Sequence, residues 1–151
     1  MKTAATYSEF DAEKDYSDMV SAWQQYTGWT PPPVEVLPAR GYVARDDDGE
    51  FLAYAGLYLD HGGTVALIDW GLVNPDVPVP VARQALGELV RRCEGAAKSY
   101  GAAYMISFTA ERGWGQMLTR NGMTPDSGGV TTYIKALKPD FDTEFMTGEG
   151  D

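Results

Sequence analysis

The sequence predicts an α/β (α+β) fold: a mixed, mostly antiparallel sheet of about six to seven strands with a central parallel pair, flanked by about three to four helices. Strand-like and helix-like segments follow one another along the chain, with the hairpins first. An apolar strand, Thr64–Val73, then precedes a long amphipathic helix and a second apolar strand, Ala102–Thr109. Such a strand–helix–strand crossover places its two strands parallel. A length of 151 residues is enough for one domain with a buried core.

The chain opens with a short predicted strand within Met1–Phe10, followed by a predicted helix over Ala12–Tyr26. Asp11 is the predicted N-cap, because its carboxylate accepts hydrogen bonds from the free N–H groups of a first turn. Gly28 is predicted to end the helix, as glycine commonly does. Apolar side chains at helical spacing predict a core-facing stripe rather than a cofactor site: Tyr16, Met19, Val20, Trp23 and Tyr26.

The prolines of Thr30–Pro33 and the following segment Val34–Arg40 predict an extended connection, since each proline disfavours a helical conformation in the residue before it. We expect this connection to run along the surface of the domain. It either walls a substrate cleft or acts as a spacer, and the sequence favours the spacer.

Two strands, Gly41–Arg45 and Phe51–Asp60, are predicted to form a hairpin. The acidic turn between them, Asp46–Gly49, contains an Asp-Gly pair that is typical of hairpins. Its carboxylates lack the spacing of a calcium loop, so a solvated turn is favoured over a metal site. The single histidine, His61, lies in the next predicted turn, where a surface role is favoured over that of a general base.

The stretch from Thr64 to Gly101 organises the rest of the chain. Thr64–Val73 is rich in β-branched and aromatic residues and lacks proline, as a buried strand should. Helical spacing then extends from Pro80 to Gly101, and it places Cys93 on the core face, where a nucleophilic role is not expected. A strand that feeds a helix N-terminus is where α/β proteins often bind an anionic ligand.

Three further elements complete a predicted single domain, residues 1–137. Ala102–Thr109 is predicted to be a strand buried on both faces, and Glu111–Asn121 a shorter helix. Val130–Leu137 is predicted to be the last strand and is a candidate edge for a homodimer. The acidic, glycine-bearing segment Lys138–Asp151 is predicted to be a flexible tail.

Composition limits the classes of partner. Twelve basic residues against 22 acidic residues give a formal charge of −10, which opposes loose attraction to nucleic acid or to an anionic membrane. The sequence contains no apolar run of the roughly 20 residues that span a bilayer, and its first ten residues lack the apolar core of a signal peptide. A cytoplasmic location is therefore expected, and the single cysteine fits a reducing compartment.

The order of elements resembles that of the GNAT superfamily of N-acetyltransferases over Thr6–Leu137. The local likeness is strongest at residues 66–90, ALIDWGLVNPDVPVPVARQALGELV. Val73-Asn74-Pro75 is similar to the hydrophobic-x-Pro turn that ends the central strand in this family, and Ala85-Leu86 match a small-then-Leu pair inside its long helix. Met117–Met123, MLTRNGM, resembles the helix ending Tyr-x-x-x-Gly-Phe of these proteins.

The chain departs from the family pattern where a glycine-rich loop would hold the pyrophosphate of coenzyme A. Pro78 stands where the family has Arg or Gln, and Val81 and Arg83 stand where it has small residues. Pro78 and Pro80 have no N–H group, so two potential donors to phosphate are missing. Leu118 replaces the tyrosine that often protonates the leaving thiolate in the family.

The resemblance implies an acyl-CoA donor, such as acetyl-CoA. The sequence lacks the ligand spacing of a zinc site, so no metal is expected. Asp69 is the candidate general base, with capping of a bulge or pairing with an arginine as structural alternatives. For Thr109 the alternative is helix N-capping, and Arg120 is a further candidate contact to phosphate. The resemblance implies donor contacts from two neighbouring strands and the helix that follows the first: Trp70, Gly71, Leu72, Val73, Val81, Ala82 and Thr109. Arg83 and Arg112 are candidate contacts to phosphate by a route that differs from the family's.

Three functions are compatible with these residues. The first is N-acyl transfer from acyl-CoA to a small-molecule amine or a protein lysine. The second is a non-catalytic interaction protein, because the chain resembles small GNAT-like virion or accessory proteins of tailed bacteriophages that lack the glycine loop. That resemblance implies a virion or host-cytoplasm location. The third is a nucleic-acid base modifier similar to Mom-type phage proteins, which the charge of −10 opposes.

Overall fold

The computed structural model describes residues 4–26, 30–109 and 112–125, together with Lys135 and Leu137. In these residues five strands form one sheet in the order β1-β2-β3-β4-β5. Neighbouring strands from β1 to β4 pair antiparallel, whereas β4 and β5 pair parallel. This confirms the predicted mixed sheet with its parallel pair, although fewer strands are described than the six to seven predicted. The strands are β1 Ala4–Glu9, β2 Arg40–Asp46, β3 Phe51–Leu59, β4 Val65–Val73 and β5 Tyr104–Ile106.

Three α-helices cover the two faces of the described sheet: α1 Ala12–Gln24, α2 Val79–Tyr100 and α3 Arg112–Arg120. Helix α1 packs on one face in a core that includes Met19, Trp23 and Tyr54. Helices α2 and α3 pack on the other face in a larger core, where Leu89 and Cys93 are fully buried. None of the described helices is both long and apolar enough to span a membrane.

Local hydrogen bonds explain where α1 begins and ends. Its N-cap is Asp11, as predicted, with the carboxylate accepting from the N–H of Glu13 at 3.0 Å. The helix ends at Gln24, before the predicted Tyr26, and its last turn closes with tighter bonds: the N–H groups of Gln25 and Tyr26 donate to the carbonyls of Ala22 and Trp23 at 3.3 and 3.0 Å. The Tyr26 hydroxyl donates to the Val73 carbonyl in β4 at 2.8 Å. Gly28, predicted to end the helix, lies outside the described residues.

Two connections differ in part from what the sequence predicts. The segment around Pro32 was expected at the surface, but Pro32 is fully buried and its carbonyl accepts from the Tyr16 hydroxyl at 2.7 Å. The acidic turn is solvated at Asp47, Asp48 and Gly49, as expected, whereas Asp46 is only 3% exposed. Its Oδ1 accepts from the N–H groups of Asp48 and Glu50, both at 2.9 Å. The aspartate is buried because it holds the backbone of the turn together.

The predicted strand Ala102–Thr109 is shorter and more exposed than expected. Only Tyr104–Ile106 pairs with β4, and Tyr104 is 68% exposed and Phe108 57%. It is therefore wrong that this strand is buried on both faces. The predicted strand Val130–Leu137 and tail Lys138–Asp151 lie outside the described residues, apart from Lys135 and Leu137.

Strand β4 contains a bulge halfway along its length. Tyr54 in β3 pairs with Leu72, but Gly56 pairs with Asp69, so two residues of β4 oppose one residue of β3. The two residues that oppose Ala55 are Trp70 and Gly71, and Trp70 has φ 60. Beyond this point β4 has no described pairing with β5, which pairs only with Val65–Leu67. The two parallel strands therefore part beside the bulge, near the start of α2.

Candidate functional site

A cleft of about 470 Å³ opens where β4 and β5 part, between the start of α2 and one face of α3. Two guanidinium groups, those of Arg83 in α2 and Arg120 in α3, belong to its walls. An apolar cleft with cationic groups at its wall suits an amphipathic, anionic ligand. Most of the other wall residues are apolar, among them Leu72, Val73, Val77, Val79, Ala82 and Leu86.

The indole of Trp114 forms the inner wall of this cleft. Gly71 in the bulge has no side chain, and a Cβ placed there would lie 2.3 Å from Cε3 of Trp114. On its other side the indole Nε1–H donates to Ser107 Oγ at 3.2 Å, just beyond the end of β5. The indole thus lies between the two strands where they part, and Trp114 is only 7% exposed.

The first turn of α2 offers few backbone donors to the cleft. Pro78 and Pro80 have no N–H group. The N–H groups of Val81 and Ala82 both donate to the Pro78 carbonyl, at 3.0 and 3.1 Å. Within residues 78–82, only the N–H of Val79 has no partner among the described residues. The start of α2 therefore does not fit a diphosphate held by several backbone N–H groups. This agrees with the loss of donors that the sequence predicts at Pro78 and Pro80.

Asp69 lies next to the bulge and does not line the cleft. It pairs with Gly56, which places its side chain on the α1 face of the sheet with Tyr54 and Tyr58. Burial raises the pKa of the Asp69 carboxyl to about 6, although the N–H of Trp70, which donates to Oδ1 at 2.8 Å, lowers it in part. A carboxyl with a pKa near neutrality can both accept and return a proton.

Contacts on the α1 face hold Trp70 in its unusual backbone conformation. The indole Nε1–H of Trp70 donates to the Tyr58 hydroxyl at 2.6 Å, and that hydroxyl donates to the Val36 carbonyl at 2.6 Å. The indole also packs against Trp23, with ring centroids 5.8 Å apart. These contacts fix the bulge from the side opposite the cleft.

The structure brings together about half of the predicted donor-binding residues. Trp70 points towards Trp23 and not into the cleft, and Val81 is 3% exposed in the core. Thr109 is exposed but does not line the cleft, and the side chain of Arg112 lies outside the described part of the chain. Five of the predicted residues line the cleft, and their binding role stays a prediction: Gly71, Leu72, Val73, Ala82 and Arg83.

Sequence reasoning named neither Trp114 nor Met117 as a site residue, whereas both line the cleft. The signal that was available is a tryptophan between two glycines, Gly113 and Gly115, in a helix that follows a parallel strand. Cys93 lies in the core as predicted, and burial raises the pKa of its thiol to about 12. Among the described residues no group of three or more His, Cys, Asp or Glu side chains could hold a metal ion.

Comparison with protein-family models and with curated protein sequences finds no match. Solved structures, in contrast, match most of the chain. Glucosamine-6-phosphate N-acetyltransferase from Arabidopsis thaliana is 13% identical, with a TM-score of 0.66 over 86% of this chain and 98% of that one. An acetyltransferase from Trypanosoma brucei is 15% identical, with a TM-score of 0.64 over 85% and 99%.

A third solved structure, described as a putative acyl-CoA N-acyltransferase from Klebsiella pneumoniae, is 15% identical, with a TM-score of 0.58 over 93% of this chain and 91% of that one. At such low identity a structural match establishes the fold and not the reaction. The chain has the fold of the GNAT acetyltransferases.

Proposed function

We propose that this protein transfers an acyl group from an acyl thioester, with acyl-CoA as the expected donor, to the nitrogen of an amine. One observation carries the proposal: β4 and β5 part at a bulge that has an apolar, arginine-bearing cleft on one side and Asp69 on the other. A donor bound in the cleft and an acceptor bound on the α1 face would meet at this bulge.

The cleft suits the pantetheine arm of coenzyme A better than it suits the diphosphate. Its apolar walls suit a flexible chain of the length of pantetheine, and Arg83 and Arg120 are the charged groups that would pair with phosphate. The start of α2 lacks the N–H groups that would hold a diphosphate. We therefore expect coenzyme A to be held mainly through its arm and the two guanidinium groups.

The position and the pKa of Asp69 support a role as general base. In the proposed step the amine nitrogen forms a bond to the thioester carbonyl carbon and the carbon–sulfur bond breaks. The nitrogen loses one proton to the Asp69 carboxylate, and the sulfur leaves as a thiolate that takes a proton from this carboxyl or from water. A pKa of about 6 makes Asp69 largely ionised at neutral pH and yet basic enough to accept the proton.

A second candidate function is a non-catalytic binding module, which the missing N–H donors at Pro78 and Pro80 favour. A nucleic-acid modifier is disfavoured, because several cations of α2 are already paired with carboxylates. Arg91 and Arg92 pair with Glu88, and Lys98 pairs with Glu94. These pairs reduce the positive charge available to phosphates.

Calorimetric titration with acetyl-CoA tests the proposal against the binding module. We expect saturable binding at micromolar ligand, weakened about tenfold by Arg83→Ala. Lys98→Ala, the same change of charge at the far end of α2, should leave the affinity unchanged. Thiol release should then depend on an added primary amine and on Asp69. Absence of binding at millimolar acetyl-CoA would overturn the proposal and favour the binding module.

A further inference from the structure

We propose that the indole of Trp114 fills a gap between β4 and β5 and so restricts the acyl group to a short chain, an inference that rests on the proposed function. Removal of the indole should open that gap to an alkyl chain.

The contact with Gly71 shows how closely the indole approaches β4. A Cβ on Gly71 would lie 2.3 Å from Cε3 and 2.4 Å from Cζ3 of Trp114, distances at which atoms cannot coexist. The six-membered ring therefore occupies the volume that a side chain at this position of the strand would take. Only glycine permits this approach, directly after the bulge residue Trp70.

The contact with Ser107 fixes the other edge of the indole. Pairing between the parallel strands stops at Leu67 and Ile106, and Ser107 is the next residue of the chain after β5. The Nε1–H of Trp114 donates to Ser107 Oγ at 3.2 Å. The indole therefore spans from one strand to the other across the gap that the missing pairing leaves.

The gap lies on the path that the acyl group of the donor would take from the cleft towards Asp69. The cleft lies on the α2 side, Asp69 lies on the α1 face, and the indole lies at the point where the strands part between them. An acyl group directed from the cleft towards Asp69 meets the indole. Because protein interiors are close-packed, a filled gap leaves no volume for added methylene groups. A group of the size of acetyl needs little of this space, whereas a longer chain needs the volume of the indole.

The first test measures affinity against chain length for coenzyme A, acetyl-CoA, butyryl-CoA and hexanoyl-CoA. For the wild-type protein we expect no gain beyond acetyl. For Trp114→Ala we expect the affinity to rise by up to about fourfold for each added methylene, the value for full burial of that group. Trp114→Phe keeps one ring and should show a smaller rise in affinity. This variant replaces Trp114→Ala in the test if the alanine variant does not fold. Thr119→Ala, an exposed residue of the same helix that does not line the cleft, is the control and should keep the wild-type profile.

The second test needs no coenzyme A and separates this inference from the proposed function. Thermal unfolding is followed with and without 1-hexanol, an alkyl probe. We expect the alcohol to stabilise the Trp114 variants and not the wild type, since ligand binding to the native state raises its stability. Equal effects on all proteins would overturn the inference, even if acetyl-CoA binds. Absence of acyl-CoA binding together with a variant-specific effect of 1-hexanol would overturn the proposed function and leave the filled gap confirmed.

Discussion

The indole Nε1–H of Trp70 donates to the hydroxyl of Tyr58 at 2.6 Å, and this bond ties the bulge of β4 to its neighbouring strand. The same hydroxyl donates to the Val36 carbonyl at 2.6 Å, so one oxygen joins three segments of the chain. A non-glycine residue at φ 60, as Trp70 is, costs about 1–3 kcal/mol and persists only where its surroundings hold it. Tyr58 therefore acts as a support for the backbone next to Asp69.

Replacement of Tyr58 by phenylalanine should destabilise the protein by about 1–3 kcal/mol. The ring stays, but the Trp70 indole N–H and the Val36 carbonyl lose a shared partner in a partly buried site. Urea denaturation followed by circular dichroism measures the change in the free energy of unfolding.

Tyr104→Phe is the matched control for this change. Tyr104 is 68% exposed, so loss of its hydroxyl should alter the free energy of unfolding by less than about 0.5 kcal/mol. Equal effects of the two substitutions would contradict the supporting role of Tyr58.

Gly95 inside α2 and Gly101 directly after it should respond with opposite sign to replacement by alanine. Gly101 follows the helix at φ 105, so Gly101→Ala should cost about 1–2 kcal/mol. Gly95 lies inside the helix, where an added Cβ meets nothing within 4 Å, so Gly95→Ala should stabilise by about 0.5–1 kcal/mol. Urea denaturation of both variants is the measurement. A change of the same sign in both would contradict the left-handed end of α2.

The element order and the parallel pair could be predicted because they depend on local signals. Helical spacing from Pro80 and the glycine at position 101 define α2 without knowledge of its neighbours. The burial of Pro32 and Asp46 could not be predicted, because it depends on partners that are distant or formed by backbone. Pro32 is fixed by the Tyr16 hydroxyl of α1, and Asp46 by the N–H groups of its own turn.

The candidate site was predicted in part for the same reason. The missing donors of Pro78 and Pro80 follow from residue type alone, and the hydrogen bonds of the first turn agree with them. The position of Trp114 against Gly71 depends on how α3 packs on β4, which no spacing in the sequence encodes. The direction of the Trp70 side chain does not follow from the sequence, because a bulge changes the alternation of side chains along a strand.

Replacement of Pro80 by alanine should strengthen binding of acetyl-CoA by about tenfold or more. The substitution restores one N–H group in the first turn of α2, where a charge-assisted hydrogen bond to phosphate contributes about 1.5–3 kcal/mol. Calorimetry on both proteins measures the change, and pantetheine, which has no phosphate, is the control ligand. A similar gain for pantetheine would show that the new N–H group does not act on phosphate.

Asp69→Asn should remove a pH dependence of stability that runs in the opposite sense to that of most carboxyls. The pKa of Asp69 is about 6 in the folded protein against an ordinary value of 3.8, so the native state binds the extra proton between these values. Stability from this group is therefore highest at low pH and falls as pH rises from about 4 to about 6. Over this range the free energy of unfolding of the wild type should fall by at most about 3 kcal/mol relative to that of the Asn variant. Urea denaturation at pH 4, 5, 6 and 7 measures it.

Asp69→Asn also distinguishes a role of Asp69 as general base from a role in capping the bulge. The Asn side-chain oxygen can still accept from the Trp70 N–H, which Asp69 Oδ1 accepts at 2.8 Å, so the backbone at the bulge should be retained. If Asp69 is the base, amine-dependent thiol release by the wild type should rise as pH passes through about 6, and the Asn variant should lose about 100-fold or more in rate. Binding of acetyl-CoA should be unchanged, because Asp69 does not line the cleft. An Asn variant with the wild-type rate and pH profile would leave Asp69 with only the capping role.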